Sequence, residues 1–451
     1  MEEETRKLHI VMLPWLAMGH LLPFFELSKR LALKNLQISF FTTPSNILRL
    51  PSIPQTLTPF LTFIPCSLPA IDNLPSTIEN TVDLHSEAAR PLLNQAYAAF
   101  EHHLIAFLSD PSRPKPNWII YDFAATTWAP TLASRFNINS AFFSLFNAAV
   151  LSFFSHCLDC NSPEKLTKIP DGIPFPTTVA FRPFEARQIH SMLRRKPDRT
   201  ESQPQIKQLM LIRTCKEFEN KWLDLLGGRY TPVGFLPPSS DEEESETWMR
   251  IHQWLDAQED SSVIYAAFGS EARLTREQID EIGLGLEQSG LPFFWALRLG
   301  SPPQGFEDRT AGRGLVWRDW VPQARLLAHP AIGGFLTHGG WNSVVEGMAA
   351  GVAMVVLPMM FEQGLNARHL VESGYGVEVV RDDEDGSFSG EEIWRKLRMV
   401  MVEEEGEELR KKVRKGKEVF GSEELQEEYI VEVVKKLREN REDGSTTGLI
   451  V

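Results

Sequence analysis

The order of predicted strands and helices is the feature that most constrains the fold of this chain. In the first half, an apolar run at residues 8–13 is followed by a Pro/Gly loop and by a helical pattern over about 21–34. Further β-rich runs follow at 38–42 and 118–121. Strands that alternate with helices form parallel β-α-β units, since a parallel connection needs a crossover. We therefore predict an α/β fold with a doubly wound parallel sheet.

The second half of the chain repeats this alternation. Its predicted strands and helices are strands at 262–268, 293–297, 334–337 and 352–357, a helix over 275–289 and a helix that begins at Asn342. Between the halves, prolines, serines and a block of acidic residues at 236–247 indicate a linker. We predict an N-terminal domain over 1–235 and a C-terminal domain over 248–440, both Rossmann-like and facing each other across a cleft, with the last helix packing back on the first domain.

Composition excludes several classes of function. The chain has 451 residues and a net charge of −14, so it can bury large cores, and its acidic surface argues against nucleic-acid partners and anionic membranes. The most apolar stretch, 138–154, is interrupted by polar residues and is shorter than the ~20 residues of a membrane span. The acidic start MEEETRK is not typical of a signal peptide. We predict a cytoplasmic protein without stable membrane insertion.

Four cysteines in a chain of this length also favour a reducing compartment. Cys157 and Cys160 form a C-x-x-C that His156 precedes, which raises the hypothesis of a metal or redox site. No second Cys/His pair lies near it in the sequence, so we favour buried or idle thiols.

A glycine turn between a strand and a helix provides a candidate phosphate site. In GFLTHGGWNSVVEGMAAG, residues 334–351, a short β run ends at His338 and the helix begins at Asn342 and Ser343. Gly339 and Gly340 allow close approach of an anion to backbone N–H groups at the helix start. The segment lacks the P-loop pattern and so does not imply bound Mg²⁺.

A longer window identifies the site further. Residues 320–363 read WVPQARLLAHPAIGGFLTHGGWNSVVEGMAAGVAMVVLPMMFEQ, and this resembles the donor-binding signature of plant family 1 UDP-dependent glycosyltransferases. PWLAMGH at 14–20 and IIYDF at 119–123 also fit that family. The resemblance implies the GT-B fold of two facing Rossmann-like domains. It further implies a UDP-sugar as co-substrate, with no metal and no other cofactor.

The resemblance assigns donor contacts residue by residue. Trp320 is implied to stack on uracil, the Val321 backbone to bind the base edge, and Gln323 and Glu346 to hold the ribose. The implied diphosphate contacts are Ser270, His338, Gly340, Asn342 and Ser343, and the implied sugar contacts are Trp341, Glu362 and Gln363.

Two positions depart from the family pattern. Gly339 stands where many relatives have Cys, which should change little because backbone amides bind the phosphate. Glu362 stands where Asp is common, and its extra methylene moves the carboxylate by about 1.5 Å. Gln363 is typical of glucose donors, so we expect UDP-glucose, with UDP-rhamnose and other UDP-sugars as alternatives.

The chemical centre is expected in the first half. His20 follows a glycine at the start of the first helix, and Asp122 directly follows the strand WIIY. The positive end of a helix disfavours imidazolium and keeps the ring able to accept a proton. In the family, His at this position removes the proton of the acceptor hydroxyl and Asp orients the ring, which is the logic of a catalytic triad.

We therefore predict an inverting glycosyltransferase that acts on a plant secondary-metabolite glycoside, a terpenoid or a flavonoid. Residues 14–20, 121–128 and 361–370 resemble the subgroup that adds a sugar to an existing sugar, and the aromatic run 141–154 suits an apolar aglycone, with Ser144 near the donor sugar. Transfer directly to an aglycone is an alternative. An NAD oxidoreductase is disfavoured because Gly283 and Gly285 lie within a helical pattern. A non-catalytic glycoside carrier is disfavoured by His20 and Asp122.

Overall fold

The computed structural model describes residues 8–157, 162–193, 208–238 and 245–442. The chain divides into two compact units. Unit 1 comprises Met1–Phe146, Ser202–Leu236 and Glu423–Val451, and unit 2 comprises Asn147–Glu201 and Pro237–Ser422.

This division differs from the predicted domain over 1–235, because the described residues of 147–193 group with unit 2. Long-range hydrogen bonds explain the difference. Asn147 Nδ2 donates to Asn366 Oδ1 at 2.9 Å, and the Thr178 N–H donates to Glu372 at 2.8 Å. The final helix belongs to unit 1, where Trp118 Nε1 donates to the Leu437 carbonyl at 3.0 Å. Residues 239–244 of the predicted linker lie outside the described residues.

Unit 1 contains a parallel sheet of seven strands in the order β3-β2-β1-β4-β5-β6-β7. The strands are β1 His9–Leu13, β2 Gln37–Thr42, β3 Leu61–Pro65, β4 Trp118–Tyr121, β5 Asn139–Ser144, β6 Leu209–Ile212 and β7 Tyr230–Pro232. The helices of this unit are α1 Met18–Leu33, α2 Pro44–Arg49, α3 Arg90–Tyr97, α4 Phe100–Ser109, α5 Ala129–Arg135, α9 Lys216–Leu225 and α18 Glu423–Glu442.

Both faces of this sheet are buried, as a parallel sheet requires. Ile10 and Met12 of β1 pack with Phe24 of α1 on one face, while Val11 and Leu13 pack into a second core on the other. Each such fully buried side chain stabilises the fold by about 1.5–3 kcal/mol. The strands predicted at 8–13, 38–42 and 118–121 are confirmed to within a residue, whereas α1 begins at Met18 rather than near residue 21.

Unit 2 contains a parallel sheet of six strands in the order β10-β9-β8-β11-β12-β13. The strands are β8 Val263–Ala267, β9 Phe293–Ala296, β10 Gly314–Trp317, β11 Ile332–Thr337, β12 Ala353–Val356 and β13 Gly376–Glu378. In both sheets, the first three strands of the unit follow one another toward one edge, and the fourth strand pairs with the first on its other side and continues the sheet in the opposite direction. This is the doubly wound topology predicted from the sequence.

Helices flank this second sheet. They are α6 Ala148–His156, α7 Pro163–Leu166, α8 Pro183–Leu193, α10 Glu246–Asp256, α11 Arg276–Ser289, α12 Phe306–Arg309, α13 Gln323–Leu327, α14 Trp341–Ala350, α15 Gln363–Glu372, α16 Gly390–Met401 and α17 Glu407–Phe420. Gly283 and Gly285 lie inside α11, against Pro303 and Ile393, so they do not form a dinucleotide-binding turn. Among the described residues, none of the helices combines the length and the apolar character that a bilayer crossing requires.

Candidate active site

A histidine and an aspartate form a hydrogen-bonded pair in unit 1. His20 Nδ1 lies 2.7 Å from Asp122 Oδ2. The His20 side chain is 22% exposed and that of Asp122 is 2% exposed, so the carboxylate sits behind the ring. With Nδ1 engaged by the carboxylate, Nε2 is the ring nitrogen that can accept a proton from a substrate.

Backbone N–H groups hold the carboxylate of Asp122 in place. Oδ2 also accepts from the Trp15 N–H at 3.0 Å, and Oδ1 accepts from the Phe123 N–H at 2.7 Å. Asp122 follows β4 and Trp15 follows β1, and these neighbouring parallel strands bring both residues to the carboxyl edge of the sheet. The fold therefore fixes the orientation of the carboxylate before any substrate binds.

Aromatic rings surround this pair. The centroids of Phe123 and His20 are 5.3 Å apart, and Trp15 packs edge-on against Tyr97 at 5.3 Å. Burial raises the pKa of Tyr97 well above its usual range, and the charge of Asp122 adds to that shift. Tyr97 therefore stays a neutral hydrogen-bond donor, and it donates to the Leu13 carbonyl at 3.3 Å.

In unit 2, a second histidine lies among glycines. A Cβ atom at Gly269 or at Gly340 would come within 2.6 Å of His338 Nε2, and Gly269 has a positive φ of 77°. Only glycine therefore allows the backbone to approach the ring this closely. Burial lowers the pKa of His338 to about 4, so the imidazole is neutral at physiological pH and can donate a hydrogen bond without carrying charge.

The start of α14 follows this ring. Its N-cap residue, Gly340, supplies no side-chain hydrogen bond to the first turn. Asn342 and Ser343 lie in that first turn, Asn342 partly exposed and Ser343 buried. A helix start of this kind presents N–H groups and the positive end of the helix dipole, which favours a phosphate. On another loop of unit 2, the Ser270 carbonyl accepts a hydrogen bond from the Arg298 guanidinium.

Three side chains form a network that could hold a ribose. Gln323 Nε2 donates to Glu346 Oε2 at 2.8 Å and to Ser343 Oγ at 3.2 Å. The Tyr265 hydroxyl donates to Gln323 Oε1 at 3.1 Å. Glu346 remains partly exposed and can still accept from ribose hydroxyls. Gln323 and Glu346, which the sequence resemblance implies as ribose contacts, are thus hydrogen-bonded to each other.

The two predicted tryptophans differ in exposure. Trp320 is 55% exposed, an unusual position for an indole, whereas Trp341 is 5% exposed. An exposed indole with a free face can stack on a base. Val321, the residue after Trp320, is buried, so the backbone next to the exposed indole is held in the core. Trp341 is part of the core at the start of α14, and its indole is largely enclosed by protein.

The Glu362–Gln363 pair lies at the start of α15. Gln363 Oε1 accepts from the N–H groups of Met359 at 2.9 Å and Met360 at 3.0 Å. Both bonds use the carbonyl oxygen of the side chain, so the amide NH₂ of Gln363 takes no part in them. Glu362, the N-cap residue of α15, is partly exposed.

Sequence reasoning missed Asn366 and Tyr265. Asn366 Nδ2 donates to the Gly339 carbonyl at 3.0 Å, so it ties the glycine turn to α15, while Asn147 supports Asn366 from α6. Two signals in the sequence were available: Asn366 is a polar residue on the buried side of α15, and Tyr265 lies inside the apolar strand β8. Ser144, placed near the donor sugar by the sequence, is buried and donates to the Phe146 carbonyl at 3.3 Å.

The prediction of idle thiols is wrong for Cys157, which is disulfide-bonded. Cys160 lies outside the described residues. Cys66 and Cys215 are free and buried, and burial raises the pKa of both thiols, that of Cys66 to about 12. Both thiols therefore stay protonated and unreactive.

Comparison with known proteins agrees with this geometry. A family model described as UDP-glucoronosyl and UDP-glucosyl transferase matches residues 202–405. UDP-glycosyltransferase 91C1 of Arabidopsis thaliana is 40% identical over 99% of this chain and 100% of its own length. A soyasaponin III rhamnosyltransferase of Glycine max is 38% identical over 98% of this chain and 97% of its own.

Solved structures give the same result. Arabidopsis thaliana UGT89C1 complexed with UDP-L-rhamnose has a TM-score of 0.72 and 25% identity, covering 96% of this chain and 100% of that one. TcCGT1 in complex with UDP has a TM-score of 0.76 and 26% identity, with the same coverage. Two doubly wound parallel sheets, one with a His–Asp pair and one with a glycine turn at a helix start, define a UDP-sugar glycosyltransferase of the GT-B class. The chain belongs to the plant family 1 UDP-glycosyltransferases.

Proposed function

We propose that this enzyme transfers glucose from UDP-glucose, with inversion, to a hydroxyl of a sugar already present on a plant secondary-metabolite glycoside. The observation that supports it best is the His20–Asp122 pair at 2.7 Å. A sugar hydroxyl is a weak acid and needs a positioned base, which this pair supplies.

In the proposed step, the acceptor oxygen attacks the anomeric carbon while the bond from that carbon to the diphosphate oxygen breaks. The hydroxyl proton passes to His20 Nε2, and the Asp122 carboxylate stabilises the imidazolium that forms. Attack from the face opposite UDP gives inversion. The proton later leaves His20 to solvent, which restores the enzyme.

The departing diphosphate gains one negative charge when its bond to the sugar breaks, and we assign its stabilisation to unit 2. The N–H groups at the start of α14, the Ser343 hydroxyl and the neutral His338 ring can each donate to phosphate oxygens. These donors supply the stabilisation that a divalent cation provides in other transferases. We therefore propose metal-independent catalysis. We also propose that the enzyme acts in the cytoplasm.

UDP-rhamnose is the second candidate donor. A relative with 38% identity over 98% of this chain is a rhamnosyltransferase, and Glu362 departs from the aspartate common in the family. Gln363 favours glucose. Relatives thus support the use of a UDP-sugar, and we propose glucose as that sugar.

A mass-spectrometric screen tests both parts of the proposal. The purified enzyme is incubated with UDP-glucose or UDP-rhamnose and with pairs of aglycone and monoglucoside from terpenoid and flavonoid classes. We expect a mass gain of one hexose on the monoglucosides. A mass gain of one deoxyhexose instead would show that the donor is UDP-rhamnose and not UDP-glucose. Products formed only from aglycones would refute the sugar-on-sugar assignment.

A further inference from the structure

The loop that leads into α15 ends at Glu362, and Gln363 is the first residue of the helix. Buried charged side chains hold this loop at both ends. At its start, the Arg381 guanidinium donates to the Pro358 carbonyl. Arg381 also donates to the Gly386 carbonyl at 2.6 Å and lies 4.5 Å from the ring centroid of Phe184, so its own position is fixed.

At the other end of the loop, Glu185 and Arg368 form a buried ion pair. Arg368 donates to both carboxylate oxygens of Glu185, at 2.7 Å and 3.1 Å, and also to the Gly364 carbonyl. The Arg182 N–H adds a third bond to Glu185 at 2.8 Å. Burial raises the pKa of Glu185, while Arg368 acts in the opposite direction by favouring the ionised form.

The carboxylate of Glu185 lies directly against the loop backbone. A Cβ atom at Gly364 would come within 2.4 Å of Glu185 Oε2, so the side chain occupies the space that any other residue would need. Gly364 is the neighbour of Gln363. A shift of the carboxylate therefore moves the backbone that carries the sugar-binding amide.

The loop itself is strained. Phe361 has a φ of 56°, in the left-handed region that non-glycine residues rarely adopt. Such a conformation persists only where the surrounding structure holds it. The bonds of Gln363 Oε1 to Met359 and Met360 close the loop on one side, and the buried charges close it on the other.

We propose that Glu185, Arg368 and Arg381 form a charged clamp that positions Glu362 and Gln363 and thereby sets the selectivity of the enzyme for the donor sugar. They are positioning residues, since each acts through the loop. This inference rests on the proposed role of Glu362 and Gln363 as sugar contacts. It extends that role to α8, which lies far from the donor window in the sequence.

The test uses Glu185→Gln and Arg381→Lys in the full-length enzyme. Glutamine keeps the size of Glu185 but presents an NH₂ to donors, and lysine holds fewer carbonyls than arginine. We expect the Kd of UDP to stay within about twofold and the KM of UDP-glucose to rise about tenfold, because a displaced loop misplaces the sugar. The ratio of kcat/KM, or of Ki, between UDP-glucose and UDP-galactose should fall toward one.

Glu372→Gln is the matched control. Glu372 also joins α15 to the segment before α8, through Thr177 and Thr178, but at the far end of the helix. It should leave the donor ratio unchanged. Equal losses for UDP and UDP-glucose in Glu185→Gln, or an unchanged donor ratio in both clamp variants, would overturn the clamp.

Glu362→Ala and Gln363→Ala separate the two proposals. If these variants bind UDP-glucose and UDP as the parent enzyme does, the assigned sugar contacts are wrong, and the clamp, which acts through them, is refuted with them. If they weaken only UDP-glucose while both clamp variants match the parent enzyme, the contacts stand and the clamp is refuted. Thermal unfolding of each variant shows that the protein remains folded.

Discussion

His20 Nδ1 and Asp122 Oδ2 lie 2.7 Å apart although 102 residues separate them in the chain. The parallel pairing of β1 with β4 creates this contact, since both residues follow the carboxyl ends of these neighbouring strands. The two remaining interactions of the carboxylate come from backbone N–H groups, which cannot rotate away. Asp122 is thus fixed by the fold, and His20 is oriented by Asp122.

The first prediction concerns the general base. His20→Ala should lower kcat by about 10²–10⁴ while the Kd of UDP is preserved, because the acceptor hydroxyl loses its proton acceptor. Steady-state turnover and calorimetry with UDP measure the two quantities. His102→Ala, which changes an exposed histidine of α4, serves as the control. Near-normal turnover by His20→Ala would remove the ring from the mechanism.

Asp122→Asn should be similarly severe. Asparagine offers one oxygen, whereas the carboxylate accepts from Trp15 and Phe123 as well as bonding His20. One amide NH₂ must then face a donor, and the imidazolium loses its counter-charge. An intact rate with this variant would limit Asp122 to a structural role.

The second prediction separates nucleoside from sugar recognition. Trp320→Ala should raise the Kd of UDP by about tenfold to a hundredfold, since stacking of a base on an exposed indole contributes about 1–3 kcal/mol to binding. Glu346→Ala should also weaken UDP, because the ribose loses an acceptor and Gln323 loses its partner.

Glu362→Ala and Gln363→Ala should leave the Kd of UDP unchanged and weaken only the UDP-sugar. Isothermal titration with UDP and with a non-hydrolysed UDP-sugar analogue gives both constants for each variant. Equal losses for the two ligands in all four variants contradict this division of the site.

How far the sequence determines this site depends on whether the signal is local. The alternating runs of apolar residues gave the strands, and the segment around His338 gave the glycine turn and the helix start, since these depend on neighbours in the chain. The bond of Asn366 to Gly339 and the packing of Glu185 on Gly364 depend on elements that meet only in the folded unit. Nothing in the sequence near Glu185 indicates its partner.

The same reason explains the displaced domain boundary. Composition marks the break near residue 236, because acidic and proline-rich residues do not pack. Residues 147–193 show no such break, and their place in unit 2 follows from contacts with α15. A boundary set by long-range packing leaves no compositional trace.

The third prediction concerns His338 and pH. Burial lowers the pKa of His338 from its ordinary value of 6.5 to about 4. Between these two pH values, the unfolded chain therefore binds a proton that the folded chain does not. The stability from the neutral ring is therefore fully present above pH 6.5 and falls as the pH decreases toward 4. Between pH 7 and pH 5 this amounts to about 2 kcal/mol.

His338→Gln should remove that part of the acid destabilisation. Urea unfolding at pH 7 and pH 5 compares the variant with the parent enzyme and with His252→Gln, which changes an exposed histidine of unit 2. Parallel loss of stability in all three proteins would show that the His338 ring does not account for the effect.

The fourth prediction is that chelators leave turnover unchanged. In the proposed mechanism, the start of α14 and neutral donors stabilise the diphosphate, and these groups need no cation. Activity is measured after dialysis against EDTA and again after addition of Mg²⁺ or Mn²⁺. A loss that a metal restores would contradict the metal-independent mechanism.

The last prediction concerns the acceptor. A monoglucoside should have a higher kcat/KM than its aglycone, because we expect its sugar to place a hydroxyl at the His20–Asp122 base. This hydroxyl is far less acidic than a phenol and therefore depends more on a positioned base. The motivation is the resemblance of residues 14–20, 121–128 and 361–370 to enzymes that add a sugar to a sugar. Removal of the base should reduce or reverse this preference. His20→Ala should lose more activity on the monoglucoside than on an acidic phenol, whose proton leaves more readily. NMR of the product identifies the linkage. A preference for the aglycone, or a product with sugars on two separate aglycone positions, would refute sugar-on-sugar transfer and leave the transferase assignment in place.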